Sequence, residues 1–319
     1  MSFTSLRTFH AVAEHRGFTS AAKALGIGQP TVTTQIKEFE AAYGVELFER
    51  NGRRVELTDA GAALFAITRR LMSLREEADE LLGAHGSLHT GHLRLAAVGP
   101  FHATEILAAF KREYPSISVS VLLGNSERTL RHLLDLEADV AILAHAVEDA
   151  RMHTARYREH RVVAFVNRQH PWFRRKSVTL AGLASQPLVL REQGSTTRRA
   201  LERALARRGL KAEPVFEIGS REGVWKAVEQ GLGVSVVADF EFVAHPNLRA
   251  LEISDAEIRT EYRIVCLRER VASPKIAAFM KVAETLRQPY QGSYARLSEQ
   301  AAVSPRPRGA RKKPPGSRP

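Results

Sequence analysis

The stretch FTSAAKALGIGQPTVTTQIK, residues 18–37, decides how this chain is to be read. Gly26 and Gly28 interrupt it, and the alanine-rich half before them suits a short helix over 21–25, with Thr19 or Ser20 as its cap. A second helix is expected from Pro30, because a proline's missing N–H would have no partner in a first helical turn anyway. At ~100° per residue, Val32, Ile36, Phe39 and Tyr43 fall within an arc of about 60° and form one buried stripe. The opposite face then carries Thr34 and Lys37, with Thr33 and Glu38 beside them and Gln29, Thr31 and Gln35 towards the N-terminal end or flank. Short hydroxyl and amide side chains of this kind hydrogen-bond base edges and phosphates, as a helix lying in a DNA major groove must.

Upstream, Phe3, Leu6, Phe9 and Ala13 recur at helical spacing until Gly17. Downstream, residues 46–50 and 54–57 alternate around Asn51-Gly52, a strong hairpin signal that sets Arg50, Arg53 and Arg54 around a tight wing. Each piece alone fits a small helical bundle with a solvated polar face. Helix, glycine break, polar-faced helix and basic hairpin in sequence instead specify a winged helix-turn-helix over 1–58. Residues 18–37, the LFER of 47–50 and the LTDAG of 57–61 closely resemble the LysR-type regulators. The resemblance implies that Pro30, Thr31, Thr33, Thr34, Gln35 and Lys37 lie on a recognition helix and that the wing of Arg53 and Arg54 meets the backbone or minor groove. Thr19, Ser20, Gln29 and Arg50 complete the expected DNA-facing set. Gly28 departs from the family pattern, which usually has a serine cap there; the loss should cost only a few tenths of a kcal/mol.

From Thr58, an N-cap with Asp59 in the first turn, a long helix is expected to about Leu82. Ala60, Leu64, Ile67, Leu71, Leu74, Ala78 and Leu81 repeat at alternating spacings of four and three, a heptad seam that wants a partner helix. Packing on the chain's own helices is the alternative, but a rod of roughly 36 Å is awkward to bury on so small a head. The resemblance supports a homodimer through this linker helix and implies a homotetramer, with two recognition helices presented to a partly symmetric site. The stretch GAHGSLHTGH that follows suggests a hinge, so 59–91 is assigned to linker helix and hinge; its glycines argue against a metal site built from His85, His89 and His92.

Beyond the hinge, apolar strands alternate with amphipathic helices: strands over 92–98, 117–123, 140–143, 162–166, 188–191, 213–218, 234–237 and 262–267, and helices over 104–114, 128–136, 196–208, 221–230 and 274–286. This order argues for a parallel α/β sheet. The family resemblance implies two α/β lobes joined by two crossing strands, as in periplasmic solute-binding proteins: an effector-binding domain over 92–290, with lobe I about 92–162 and 267–288 and lobe II about 163–266. The crossings are expected near 162–165 and 264–267. The fold class is therefore α+β and multidomain: winged helix-turn-helix, linker helix, two-lobed α/β effector domain. A ligand is expected between the lobes, where loops after strand ends and helix N-termini point inward. Gly99, Pro100, Phe101 and His102, then Asn125, then His145 follow the first three strands. Ser195, Thr196, Thr197 and Arg198 open one helix of the second lobe, and the loop of Arg221 and Glu222 opens the next. Free N–H groups and hydroxyls at helix starts favour anions, so a small anionic effector is expected, although simple capping explains each loop taken singly. The domain also resembles LysR-type regulators linked to 2-aminoethylphosphonate catabolism, through LLGNSERTL, NRQHPW, LREQGSTTR and IVCLRER. That resemblance implies a phosphonate on Ser195, Thr196 and Thr197, with the ammonium on Glu222 or Asn125.

Composition sets outer bounds. The chain has 319 residues and a formal charge of +12, but 304–319, SPRPRGARKKPPGSRP, carries six Lys or Arg and no acid, and 291–319 reads as a disordered basic tail. No apolar run is long enough for a membrane span or a signal-peptide core, so a cytoplasmic protein with no membrane partner is expected. The single cysteine, Cys266, sits in an apolar strand and reads as core. The rival class, an α/β enzyme, has no G-x-S-x-G elbow, no phosphate loop and no complete G-x-G-x-x-G to stand on; no cofactor or metal is expected. A constitutive architectural DNA-binding protein would not need a sensor of some 200 residues. The reading is a DNA-binding transcription regulator, not an enzyme, with promoter DNA, an anionic effector, further copies of itself and RNA polymerase as partners.

Overall fold

The computed structural model describes residues 2–51, 54–83 and 91–287. The expected tail, most of the expected hinge, His85 and His89, and Gly52 and Arg53 of the wing lie outside the described residues.

Three helices open the chain. In α1 (Phe3–Glu14) the Ser2 hydroxyl accepts from the Ser5 N–H at 3.1 Å. Helix α2 (Phe18–Leu25) begins three residues before the expected start: the extended Gly17 is its N-cap, so Thr19 and Ser20 sit exposed in its first turn and cap nothing. It ends at Gly26, whose φ of 68° is left-handed. Helix α3 (Gln29–Tyr43) starts one residue before Pro30, and Gly28 caps it with backbone alone, as its missing side chain requires. Phe9, Val12, Ala21, Val32, Ile36, Phe39 and Phe48 fill the core between them. Tyr43 is the exception to the expected stripe. It is 54% exposed, touching Phe39 edge-on, because the last turn of α3 runs past the α1–α2 platform before Gly44 ends it.

The hairpin of β1 (Phe48–Asn51) and β2 (Arg54–Leu57) pairs Asn51 with Arg54, so Asn51 is the last residue of β1 rather than part of the turn that the Asn51-Gly52 signal implied. Glu40 on α3 accepts from the N–H groups of Leu47 and Phe48 at 2.8 and 3.3 Å, so α3 and the start of β1 share one anchor. Thr58 caps α4 (Asp59–Gly83) through the Gly61 N–H at 3.0 Å. The glycine is required there: a Cβ on Gly61 would lie 2.1 Å from the Leu47 carbonyl oxygen.

The rest of the chain forms β3 (Gly91–Ala97), α5 (Pro100–Glu113), β4 (Ile117–Leu123), α6 (Ser126–Leu134), β5 (Val140–Leu143), β6 (Met152–Asn167), β7 (Ser177–Val178), α7 (Leu180–Ala184), β8 (Leu188–Arg191), α8 (Thr196–Ala206), β9 (Pro214–Ile218), α9 (Arg221–Glu229), β10 (Ser235–Ala238), β11 (Leu248–Ile253), β12 (Arg259–Leu267) and α10 (Pro274–Thr285). It falls into two compact units, Met1–Arg156 with Arg263–Leu286, and a second built on Tyr157–Tyr262. The chain leaves the first unit inside β6 and re-enters it inside β12.

In the first unit β4, β3 and β5 run parallel, and the end of β12 lies antiparallel to β5. In the second, β6 is flanked antiparallel by β10 and β11, β11 pairs parallel with β7, and β8 with β9. The sheets are thus mixed rather than parallel, because the connecting strands β6 and β12 carry the chain in opposite directions. Strand β6 is 16 residues long, against the five expected, since its first ten residues, MHTARYREHR, carry too many polar side chains to read as core. Its second half explains itself: Val162, Ala164 and Val166 pack into one core with Trp172 and Leu201, while Val163 and Phe165 pack into another with Val189 and Val237. Burial on both faces is why that run is continuously apolar.

Candidate DNA interface and effector pocket

On α3 the buried Val32, Ile36 and Phe39 leave Thr31, Thr34, Lys37 and Glu38 exposed, together with Gln29 and Pro30 at the helix start. Thr33, half-buried, donates to the Gln29 carbonyl at 3.1 Å and accepts from the Gln29 amide at 3.1 Å, which ties two expected contact residues to each other. Gln35 is drawn inward: its side-chain oxygen accepts from the buried Thr8 hydroxyl at 2.6 Å. Arg50 and Arg54 lie on β1 and β2, near the wing tip. Exposed hydroxyls, one amide and one lysine on a helix packed from behind can reach base edges and phosphates.

In the first unit, β4, β3 and β5 are adjacent parallel strands, so the segments after them share one end of the sheet. That places Asn125, Gly99 to His102, and His145 together at the carboxyl end, the usual position for ligand loops. Gly99 caps α5, so Pro100, Phe101 and His102 form its first turn rather than a loop. His102 is buried, 3.5 Å from Glu105, and the Asn125 side chain accepts from the Arg128 N–H at 2.9 Å as the cap of α6. One lone pair of the Asn125 oxygen is therefore engaged locally.

In the second unit the loops after β8 and β9 lead into α8 and α9. Arg191, Ser195, Thr197, Arg221, Trp225 and Glu241 line a pocket there of about 30 Å³, room for roughly two waters and hence for one anionic head group. Ser195, almost wholly buried, caps α8. Glu241, on a short turn after β10, is 2% exposed; Arg221 donates to it at 2.8 Å and the Tyr262 hydroxyl at 3.2 Å. Burial pushes the Glu241 carboxyl above its ordinary value, against the pull of Arg221 and Tyr262. Beside it, His160 stacks on Phe240 at 3.8 Å and meets Asp239 at 3.2 Å.

Of the residues expected in this unit, Ser195 and Thr197 line the pocket, whereas Thr196, Arg198 and Glu222 do not. Arg198 turns into the protein, where its guanidinium donates to Glu217 at 2.6 Å, Glu202 at 2.7 Å and the Arg191 carbonyl at 2.7 Å, and so ties α8 to β8 and β9. Glu222 stays exposed on α9 because the helix turns it away from the pocket side. Sequence reasoning missed Arg191, Trp225 and Glu241. The signal for Glu241 was available, since ADFEF places two carboxylates in an otherwise apolar segment. Cys266 is core, and burial pushes its thiol up to about 11. Among the described residues no helix is long and apolar enough to cross a membrane.

Residues 3–62 match the family described as bacterial regulatory helix-turn-helix protein, lysR family, and residues 86–287 match the LysR substrate binding domain. The HTH-type transcriptional activator CmpR of Synechocystis sp. is 33% identical over 78% of this chain and 83% of its own. Among solved structures, a full-length OxyR variant from Pseudomonas aeruginosa superposes with a TM-score of 0.72, over 93% of this chain and 97% of that one, at 23% identity. Full-length CbnR complexed with its target DNA gives 0.67, over 90% of this chain and 100% of that one, also at 23% identity; these two speak to the fold.

Proposed function

The chain belongs to the LysR-type transcriptional regulators, DNA-binding proteins with an effector-binding domain rather than enzymes, and from that premise we propose which of its residues read the promoter and which hold the effector. Thr31, Thr34 and Lys37 on α3 contact the operator, with Thr19, Ser20, Gln29 and Pro30 along the backbone and the wing arginines Arg50, Arg53 and Arg54 flanking it. The observation that carries this is the burial of Val32, Ile36 and Phe39, which turns the hydroxyl-rich side of the same helix to solvent. A small anionic effector seats its head group on Ser195, Thr197 and the N-terminus of α8, beside Arg191 and Arg221. The paired charges of Arg221 and Glu241 suit a ligand with both an acidic group and a hydrogen-bond donor; 2-aminoethylphosphonate has both, which supports the narrower resemblance. Effector shifts the population of an assembly of paired dimers, and with it their contact with promoter and RNA polymerase.

Footprinting of the purified protein on its own upstream region, with and without candidate anions, tests both halves. Thr34→Ala or Lys37→Ala is expected to weaken operator binding roughly tenfold, within the range for one base or phosphate contact, and to leave effector affinity unchanged. Thr197→Ala is expected to do the reverse. Unchanged operator affinity in both α3 variants would displace the reading face; 2-aminoethylphosphonate without effect, beside another anion that binds, would remove that ligand alone.

A further inference from the structure

A cavity of about 430 Å³ lies in the first unit where α1, α4, β3 and the turn after α6 meet, far along the chain from the pocket of α8 and α9. Its size is in the range of metabolite sites, and neither promoter reading nor the effector pocket uses it. One face of α1 (Arg7, His10, Glu14) and one face of α4 (Phe65, Arg69, Met72, Glu76) form its walls.

Three observations converge on it. First, among the described residues only two non-glycine residues hold a left-handed backbone, Arg16 with φ 51° and Leu136 with φ 58°, and both line this cavity. Each stands just past the C-terminus of a helix, α1 and α6, with the backbone bonds Gly17 N–H to Val12 C=O (3.2 Å) and Glu137 N–H to His132 C=O (2.8 Å) that usually accompany a glycine in that place. The Leu136 side chain is accounted for by the core it packs into, whereas Arg16, kept against the steric preference for glycine, places its guanidinium at the cavity. Second, the positive charge is unevenly matched. Arg69 is committed to Glu137 at 3.2 Å and the Asp135 carbonyl at 2.8 Å, and Arg94 to Asp139 at 2.9 Å. Glu14 stands 3.6 Å from His10 and Glu76 3.9 Å from Lys275, while among the described residues Arg7 and Arg16 form no ion pair, and the buried Nε of Arg7 has no hydrogen-bond acceptor. Third, burial holds His10 below its ordinary value against the pull of Glu14, and Arg69 and Arg94 add to the lowering, so the imidazole is placed to report on any charge that enters.

We infer that this cavity is a binding site for a small organic anion carrying a carboxylate or phosphate group, recognised by Arg7 and Arg16, at the junction of the DNA-reading head, the linker helix and the sensor body. It is independent of the effector pocket. A ligand there touches α1, which packs on the recognition helix, and the Arg69–Glu137 contact, so its occupancy adjusts how firmly the head is held.

The test uses the full chain with inorganic phosphate and, separately, 3-phosphoglycerate as probes, followed by calorimetry and by the NMR titration of His10. Wild type is expected to bind at least one probe saturably, with the His10 midpoint moving upward on binding. Arg7→Lys keeps the charge without the fork and is expected to weaken binding; Arg7→Ala is expected to weaken it about tenfold or more, the usual worth of a charged hydrogen bond. Arg221→Ala, in the other pocket, is expected to leave the His10 response to the probes unchanged. A His10 response that is lost in Arg221→Ala and kept in both Arg7 variants overturns the proposal, as does a His10 midpoint that ignores both probes. Loss of operator affinity in Arg7→Ala without loss of probe binding would assign Arg7 to the DNA backbone instead.

Discussion

At the residue scale, one carboxylate organises much of the first unit. Asp139 is fully buried and accepts from the backbone and guanidinium of Arg94, at 2.9 Å each, with Arg270 at 2.9 Å and Lys275 at 3.8 Å. Although burial alone would raise its pKa, the hydrogen bonds of Arg94 and the nearby cations hold the carboxyl at about 2. A proton therefore binds the unfolded chain, at an ordinary 3.8, more readily than the folded one. The contribution, roughly 2 kcal/mol, is complete above that ordinary value and is lost as the pH falls through the folded one. Urea unfolding of wild type against Asp139→Asn checks this: the variant should be less stable by about 3 kcal/mol near neutrality, the cost of breaking a buried pair, and should lack that acid-limb loss. A variant as stable as wild type would show that the three cations do not depend on Asp139.

At the element scale, α4 serves two masters along its length. Of the expected seam, Leu64 and Leu71 are half-buried against the core of the head, while Ala60, Ile67, Leu74 and Ala78 face solvent, Ile67 at 62% and Leu74 at 63%. The heptad pattern was legible, but its division was not, because period alone cannot say which half a neighbouring α1 will cover. We propose that the uncovered half is the surface a second copy buries. Leu74→Glu is expected to raise the dimer dissociation constant by roughly tenfold or more, since the change acts twice in a two-fold dimer, and sedimentation measures it directly. A dimer of unaltered strength would move the interface off this stripe.

At the scale of the whole molecule, the first unit is closed by residues from its far end: β12 pairs with β5, α10 packs Phe279 against Phe110 at 5.6 Å, and Arg270 and Lys275 complete the surroundings of Asp139. A chain stopped after Tyr262 loses all of these. It is expected to keep the head helices but to lose hydrogen-exchange protection on β3 and β5, whereas full protection there would show that the closing segment is dispensable. The two passages of the chain, in β6 and β12, also make the fold dependent on contacts between residues more than a hundred positions apart, such as Arg268 with the Ala150 carbonyl.

Local rules were enough to place the helices and hairpin of the head and the linker from sequence, because glycine breaks, a proline start, a threonine cap and a 3.6-residue stripe act over a few residues. The apolar strands and most helices of the sensor were legible for the same reason. What only the tertiary structure decided was everything set by long-range partners. Whether β12 runs parallel or antiparallel to β5 depends on where the chain returns. Whether Arg198 faces a ligand or Glu217 depends on which strand lies behind α8, and whether Tyr43 is covered depends on where the α1–α2 platform ends. Glu241 joins the pocket only because β10 brings its turn to Arg221, a juxtaposition that no spacing within the chain encodes.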